Sequence, residues 1–229
     1  MHSIAPGVHQ VSGYSRSFII EGDDGVTLID TGLPKRDGAI ADVLSSIGRS
    51  LADVGGIVVT HSHADHVGNA AVLKQKTGAP LFASAVDAPA IRGEEPTPAP
   101  LFLDRLPFLK PLYRLMPGAD VAEVDRLVGE GEGTEMPEAL RVIDTPGHTP
   151  GHVSFLLDRD GGILFVGDAA VSTKRGEVKR GWMNRSTPAF DASLRHLAEF
   201  EFDVALFAHS APLQGSAAEA FRRFAETLS

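Results

Sequence analysis

The sequence predicts a layered α/β fold, and three observations predict it. Short β-branched or apolar runs alternate with helical patterns through both halves of the 229-residue chain. Some runs are apolar without a break, as at Ile57-Val58-Val59, the pattern of a strand buried on both faces. Acidic residues and histidines recur just past the C-terminal ends of the runs, the rim where loops converge and ligand sites form in α/β folds.

In chain order the strands read "SFIIEG" (17–22), "VTLIDTG" (26–32), "GIVVTH" (56–61), "PLFAS" (80–84), "LRVIDTPGH" (140–148), "VSFLLD" (153–158), "GILFVGD" (162–168) and "VALFAH" (204–209). Helical spacing covers 36–47, 70–77, 190–200 and 217–228. Residues 89–118 break the rhythm, with seven of the fifteen prolines. Proline removes backbone donors and shortens helices, so helical turns and loop are expected there. This Pro-rich apolar insertion reads as a connector packed on the core, a lid, a pocket wall or a dimer contact.

Composition bounds the chemistry. With 43% hydrophobic and 22% charged residues, the chain fits one globular domain spanning 1–229, or two fused half-domains. It has no cysteine, so any metal site must use imidazole and carboxylate. A net charge of −9 disfavours a nucleic acid partner. No run approaches the ~20 apolar residues of a membrane span, and no signal peptide is evident, so a cytoplasmic protein is expected.

Asp30, His61, His148, Asp168 and His209 each stand at or just past the end of a predicted strand. Around the second of these, "HSHADH" crowds three of the nine histidines into six residues. His61 and His63 lie two apart and face one way in extended chain. Asp65 and His66 follow beyond a turn and can address a second centre. His2, His9 and His196 lack such a context and read as surface or satisfied core residues.

These residues resemble the metallo-β-lactamase superfamily: "LIDTG" at 28–32, "HSHADH" at 61–66, "TPGHTPGH" at 145–152, "FVGD" at 165–168 and "AH" at 208–209 follow that family's order. The resemblance implies a four-layer αββα sandwich of two similar halves with a dinuclear metal site. It assigns His61, His63 and His148 to one metal and Asp65, His66 and His209 to the other, with Asp168 bridging. Of the two imidazoles in "GHTPGH" the family pattern uses His148, which leaves His152 a supporting or structural residue. Asp30 becomes a buried acid supporting the histidine loop, or simply part of a turn. The final motif departs from the family, reading "AHSAP" where many relatives have "GHG", with Ser210 in place of a small turn residue.

The implied reaction is metal-dependent hydrolysis of a small ester, lactone, thioester or amide. Two divalent ions, most simply Zn²⁺, with Fe or Mn as alternatives, would generate a bridging hydroxide at neutral pH. Asp65 would orient this nucleophile and take up its proton. A mononuclear iron sulfur dioxygenase and a non-catalytic metal-binding module are the rival readings. Asp168 at the bridging position argues against an exported β-lactamase, and His63 stands where flavodiiron proteins have glutamate. With 20 residues after His209, where the family's glutathione-thioester hydrolases carry a further helical region, and no tyrosine in "DAAVSTKRG", where its quorum-signal lactonases place one, glutathione thioesters and such lactones are disfavoured substrates. Residues 172–186 carry five Lys/Arg against one Glu, so Lys174, Arg175, Lys179 and Arg180 are candidates to bind an anionic small-molecule substrate. The apolar stretch within 101–116 allows a homodimer.

Overall fold

Residues 3–23, 25–100, 102–109, 118–131 and 135–228 are described by a computed structural model of the chain. They fall into two compact units, the first within 1–97, 117–128 and 132–139, the second within 98–116, 129–131 and 140–229.

The first unit carries a seven-stranded sheet among the described residues, in the spatial order of the sequence. Its strands are β1 (Ser3–Ala5), β2 (Val8–Val11), β3 (Ser17–Gly22), β4 (Gly25–Ile29), β5 (Val54–Val58), β6 (Leu81–Ser84) and β7 (Arg126–Val128). β1 to β4 pair antiparallel, and β4 to β7 pair parallel. Parallel neighbours need a crossover. Helix α1 (Asp37–Ser46) leads from β4 to β5, and the single turn α2 (Ala64–Val67) with α3 (Ala70–Thr77) leads from β5 to β6. Ile40 and Leu44, one turn apart on α1, join Leu73 of α3 and Ile19, Leu28 and Ile57 of the sheet in one buried cluster. Every residue of β4 is buried, Thr27 included, as in a strand covered on both faces.

The second unit holds a five-stranded sheet among the described residues, its strands lying side by side as 213–214, 204–207, 163–167, 153–157 and 141–144. These strands are β8 (Arg141–Asp144), β9 (Val153–Leu157), β10 (Ile163–Gly167), β13 (Val204–Phe207) and β14 (Leu213–Gln214). A separate hairpin pairs β11 (Val171–Ser172) with β12 (Val178–Lys179). The short helices α4 (Ala88–Ile91) and α5 (Phe102–Arg105) precede this sheet in the chain. Helix α6 (Thr187–Leu197) carries the parallel crossover from β10 to β13, and α7 (Ala217–Ala225) follows β14. Phe190, Leu194 and Leu197 of α6 meet Phe207 and Phe221 in a second cluster. There Phe221 stacks on Phe207 and meets Phe202 edge-on, geometries that aromatic quadrupoles favour.

The eight expected strands and four expected helices are present, with shifted ends. Helix α6 begins at Thr187, three residues before its first apolar position. The Ser186 hydroxyl accepts from the Ala189 amide, and a proline stands in the first turn. The short strands β1, β2, β7, β11, β12 and β14 carry too few residues to show a period. The Pro-rich insertion forms α4, α5 and a 3-10 turn at Pro107–Leu109, as proline spacing predicts. Residues 101 and 110–117 of this insertion lie outside the described residues, as does His2. Among the described residues no helix is long and apolar enough to cross a membrane.

Candidate metal centre

In the first unit the chain leaves β5 at Val58 and presents His61, Ser62 and His63 before the single turn of α2, which carries Asp65 and His66. Donor atoms of His61 and His63, of His61 and His66, and of Asp65 and His66 fall within 4.8 Å of each other. His61 Nε2 stands 3.1 Å from His63 Nδ1, and the rings of His61 and His66 are 4.0 Å apart.

Asp30 organises this loop from the end of β4. It is 2% exposed and has a left-handed φ of 57°, which aspartate tolerates better than most residues. Its Oδ1 accepts from the Thr60 amide at 2.8 Å, and its Oδ2 accepts from the Thr60 hydroxyl at 2.9 Å. Oδ2 also takes a hydrogen bond of 2.7 Å from His66 Nδ1. A carboxylate only accepts, so His66 carries its proton on Nδ1 and directs the Nε2 lone pair towards Asp65 Oδ2, 3.6 Å away. The Thr60 hydroxyl has its one proton on Asp30, so it accepts from His61 Nδ1 at 3.0 Å and leaves His61 Nε2 a lone-pair donor as well.

Backbone anchors hold the same loop. The buried Asp87 carboxylate accepts from the Ser62 amide at 2.8 Å. The Ser15 hydroxyl donates to the Asp65 carbonyl, and the Thr31 amide and hydroxyl donate to the His66 carbonyl at 2.7 and 2.9 Å. Asn69 donates to the carbonyls of Thr31 and Leu33 and accepts from the Arg36 amide.

In the second unit His148 follows β8, Asp168 follows β10 and His209 follows β13. His148 Nδ1 donates to the Trp182 carbonyl at 2.9 Å, which again fixes the tautomer and turns Nε2 towards Asp168 Oδ2 at 3.3 Å. His209, with 18% of its side chain exposed, places Nε2 3.4 Å from Asp168 Oδ1. His152 has a different task. Its Nε2 accepts from the Asp168 amide at 3.0 Å, so its proton is on Nδ1 and is donated to the Thr145 hydroxyl at 2.8 Å. Thr145 in turn donates to Ser154, which donates to the Val166 carbonyl, each at 3.1 Å. Both imidazole nitrogens of His152 are thus committed to holding β10 and Asp168 in place. Ser210, the departure from "GHG", accepts from the Ser172 amide at 2.7 Å and fastens the β11 strand beside His209.

The basic segment divides. Arg180 makes a two-pronged ion pair with Asp191 of α6, at 2.5 and 2.8 Å. Hydrogen bonding to Asp191 raises the Arg180 pKa, and the same contact lowers that of Asp191. Lys179 lies 3.6 Å from Glu177 and 5.9 Å from the Phe224 ring. Lys174 and Arg175 are exposed in the β11–β12 turn. His9 is held by Glu21, and His196 by Glu130 with Glu199.

Thr60, Asn69, Asp87 and the Trp182 carbonyl escape the motif reading. Thr60 adjoins "HSHADH" and Asn69 lies three residues beyond it. Nothing in the sequence marks the backbone carbonyl of Trp182.

The family model described as "Metallo-beta-lactamase superfamily" matches residues 12–210. The chain belongs to that superfamily. It is 25% identical over 202 residues to the Bacillus subtilis protein named "Probable metallo-hydrolase YflN", covering 82% of this chain and 76% of that protein. It is 34% identical over 145 residues to a hydroxyacylglutathione hydrolase of Bradyrhizobium sp., a match that spans 63% of this chain and only 44% of that enzyme. Among solved structures, a metallo-β-lactamase from Cronobacter sakazakii with a mutated HARLDQ motif superposes with a TM-score of 0.70 at 25% identity, covering 90% of this chain and 79% of that one. The protein thus has the metallo-β-lactamase fold and is a hydrolase of that superfamily. Its donor set is nitrogen and oxygen, in keeping with a divalent metal.

Proposed function

We propose that this superfamily member is a dinuclear metallohydrolase of small acyl compounds. In this reading His61, His63 and His148 hold one divalent ion, Asp65, His66 and His209 hold the second, and Asp168 bridges them.

The observation that carries the proposal is the chemistry of the imidazole–carboxylate contacts. Asp30 and the Trp182 carbonyl keep protons on the outer nitrogens of His66 and His148. Their inner nitrogens, like that of His209, stand 3.3–3.6 Å from carboxylate oxygens of Asp65 and Asp168. A lone pair facing an anion is repulsive unless a cation lies between them. Protons would have to supply three extra charges in largely buried surroundings near neutral pH, whereas metal ions suit this donor set directly. Once bound, such ions supply a nucleophile at neutral pH and polarise the electrophile.

The residues of the chain do the rest. Asp65, 21% exposed at the side chain, takes up the nucleophile's proton and returns it to the leaving group. His61, His66 and His148 are each buried, which keeps bulk water from these ligands. Asp30 and His152 hold His66 and Asp168 in register. The resemblance to hydroxyacylglutathione hydrolase puts thioesters first among the acyl classes, ahead of lactones, esters and amides.

Metal quantification of purified protein, coupled to turnover of thioester, lactone and ester panels, tests the reading. Two zinc or manganese ions per chain with hydrolysis support it. One iron per chain with oxygen uptake would replace it by a dioxygenase, and full metal loading without turnover would leave a binding module.

A further inference from the structure

The first unit has a cavity beside its histidine loop, between the β2–β3 turn and the segment entering α1, with a volume of about 280 Å³. Ser12, Ser15, Ser17 and Thr31 are among the residues that line it, along with Leu33 and Ile40. Among the described residues Arg36 is its only charged lining residue. The Arg36 backbone amide donates to Asn69, but its guanidinium has no hydrogen-bond or ion-pair partner among those residues. The neighbouring acid, Asp37, is paired with Lys76 at 2.6 Å. In a chain of net charge −9, a cation without an acid partner at the rim of a cavity lined by hydroxyl-bearing residues is an anion-binding arrangement.

Shape and valence narrow the anion. A guanidinium presents a planar fork that matches a carboxylate in two hydrogen bonds. A phosphate dianion would call for more positive charge than one arginine supplies. The volume is at the small end for ligand pockets, which run from about 300 to 1,000 Å³. The cavity also touches the site already described through its own walls, since Ser15 and Thr31 donate to the carbonyls of Asp65 and His66.

We propose that this cavity is a carboxylate subsite for the substrate. Arg36 binds the carboxylate, the hydroxyls of Ser12 and Ser17, whose protons are not spent on a backbone carbonyl as those of Ser15 and Thr31 are, complete its hydrogen bonds, and Leu33 and Ile40 receive a short hydrocarbon body. The acyl compound hydrolysed beside Asp65 and His66 therefore carries a free carboxylate. That the occupant is substrate rests on the hydrolase reading, whereas the preference for a carboxylate does not.

Monoethyl succinate and its neutral counterpart ethyl butyrate test this by titration into the full chain, followed through backbone amide resonances. Monoethyl succinate is expected to shift the signals of Ser15, Thr31 and Gly32 and to bind about tenfold tighter than ethyl butyrate, as a charge-assisted fork predicts. R36Q should lose that factor, R36K should fall between, and R223Q, on an exposed face of α7, should match wild type. With metal bound, R36Q should raise KM for monoethyl succinate far more than it lowers kcat. Equal affinity for the two esters, undiminished binding by R36Q, or shifts confined to other regions would overturn the subsite. Hydrolysis of both esters without preference for the acid would sink the subsite and keep the hydrolase. Selective binding without turnover of either would retain the carboxylate pocket and sink the hydrolase reading.

Discussion

His66 is set as a donor by Asp30, and Asp30 is in turn set by Thr60, so one carboxylate determines which nitrogen of the imidazole is free for a metal. Asp30→Asn keeps the shape but loses the charge that holds the Nδ1 proton. Outer partners of this kind typically change metal affinity by about 10- to 100-fold, and chelator competition should find D30N weakened within that range. Wild-type affinity in D30N would mean that Asp30 serves only the turn. His152 allows a sharper comparison. It accepts from the Asp168 amide and donates to Thr145, so H152Q, which can still accept, should retain more metal than H152A. If His152 were itself a ligand, both variants would lose the same equivalent of metal. The seven ligand candidates were legible in the sequence because chemistry there needs particular side chains at strand ends. Their partners were less so: a backbone carbonyl such as that of Trp182 has no residue signature, and Asp87 reaches Ser62 across 25 positions.

At the scale of elements, both units use one device. An antiparallel hairpin, β3–β4 or β9–β10, feeds a helical crossover to a parallel strand, β5 or β13. The first acid after each hairpin, Asp30 or Asp168, stands one residue past its strand, and a histidine follows the returning strand in both, His61 three residues past β5 and His209 two past β13. The alternation of apolar runs revealed this order, while helix ends were set by Ser186 and by glycines that a periodicity cannot see. Gly147, just before His148, has a φ of 141°, and a Cβ there would lie 2.5 Å from the Phe190 Cα. G147A should therefore destabilise the chain by about 3 kcal/mol or more in urea unfolding, since both backbone and contact are incompatible with a methyl group. A loss below about 0.5 kcal/mol, ordinary for surface sites, would contradict that packing. The Arg180–Asp191 pair fastens the β11–β12 hairpin to α6 and accounts for one cation that the charge run suggested for substrate. R180Q should cost about 1–2 kcal/mol at pH 7, between exposed and buried ion pairs. Asp191's pKa is lowered on folding, chiefly by its hydrogen bond to Arg180. The pair's contribution is thus present above the unfolded carboxyl value near 3.9 and fades as pH falls through the lower folded value. Urea midpoints of wild type and R180Q should accordingly converge below about pH 4, and a constant gap down to strongly acid pH would rule out ionic pairing as its source.

At the scale of the whole molecule, each unit possesses a hydrophobic cluster of its own, one around Leu28 and Ile57, the other around Leu164 and Phe207. Length left one large domain and two fused half-domains both open, and the resemblance implied two similar halves, but nothing in the sequence marks a linker that would place the boundary between them. The proposed ligand set draws on residues of both units, so metal would bind only where both are folded. A ligand that binds only the native state stabilises it by about 2.7 kcal/mol at one hundred times its Kd. For a chain of this length that corresponds to a rise in Tm of about 5–10 °C. The more discriminating readout is hydrogen exchange of core amides, taken separately at Leu28 and Ile57 and at Leu164 and Phe207. Zinc added to metal-free protein should increase protection at both sets by the same free energy. D168N, which removes the charge proposed to bridge the two ions, should reduce both gains together. Protection confined to the first set would place the ligands on the histidine loop alone, and protection confined to the second would place them around Asp168. Either result would break the seven-residue ligand set while leaving the fold intact.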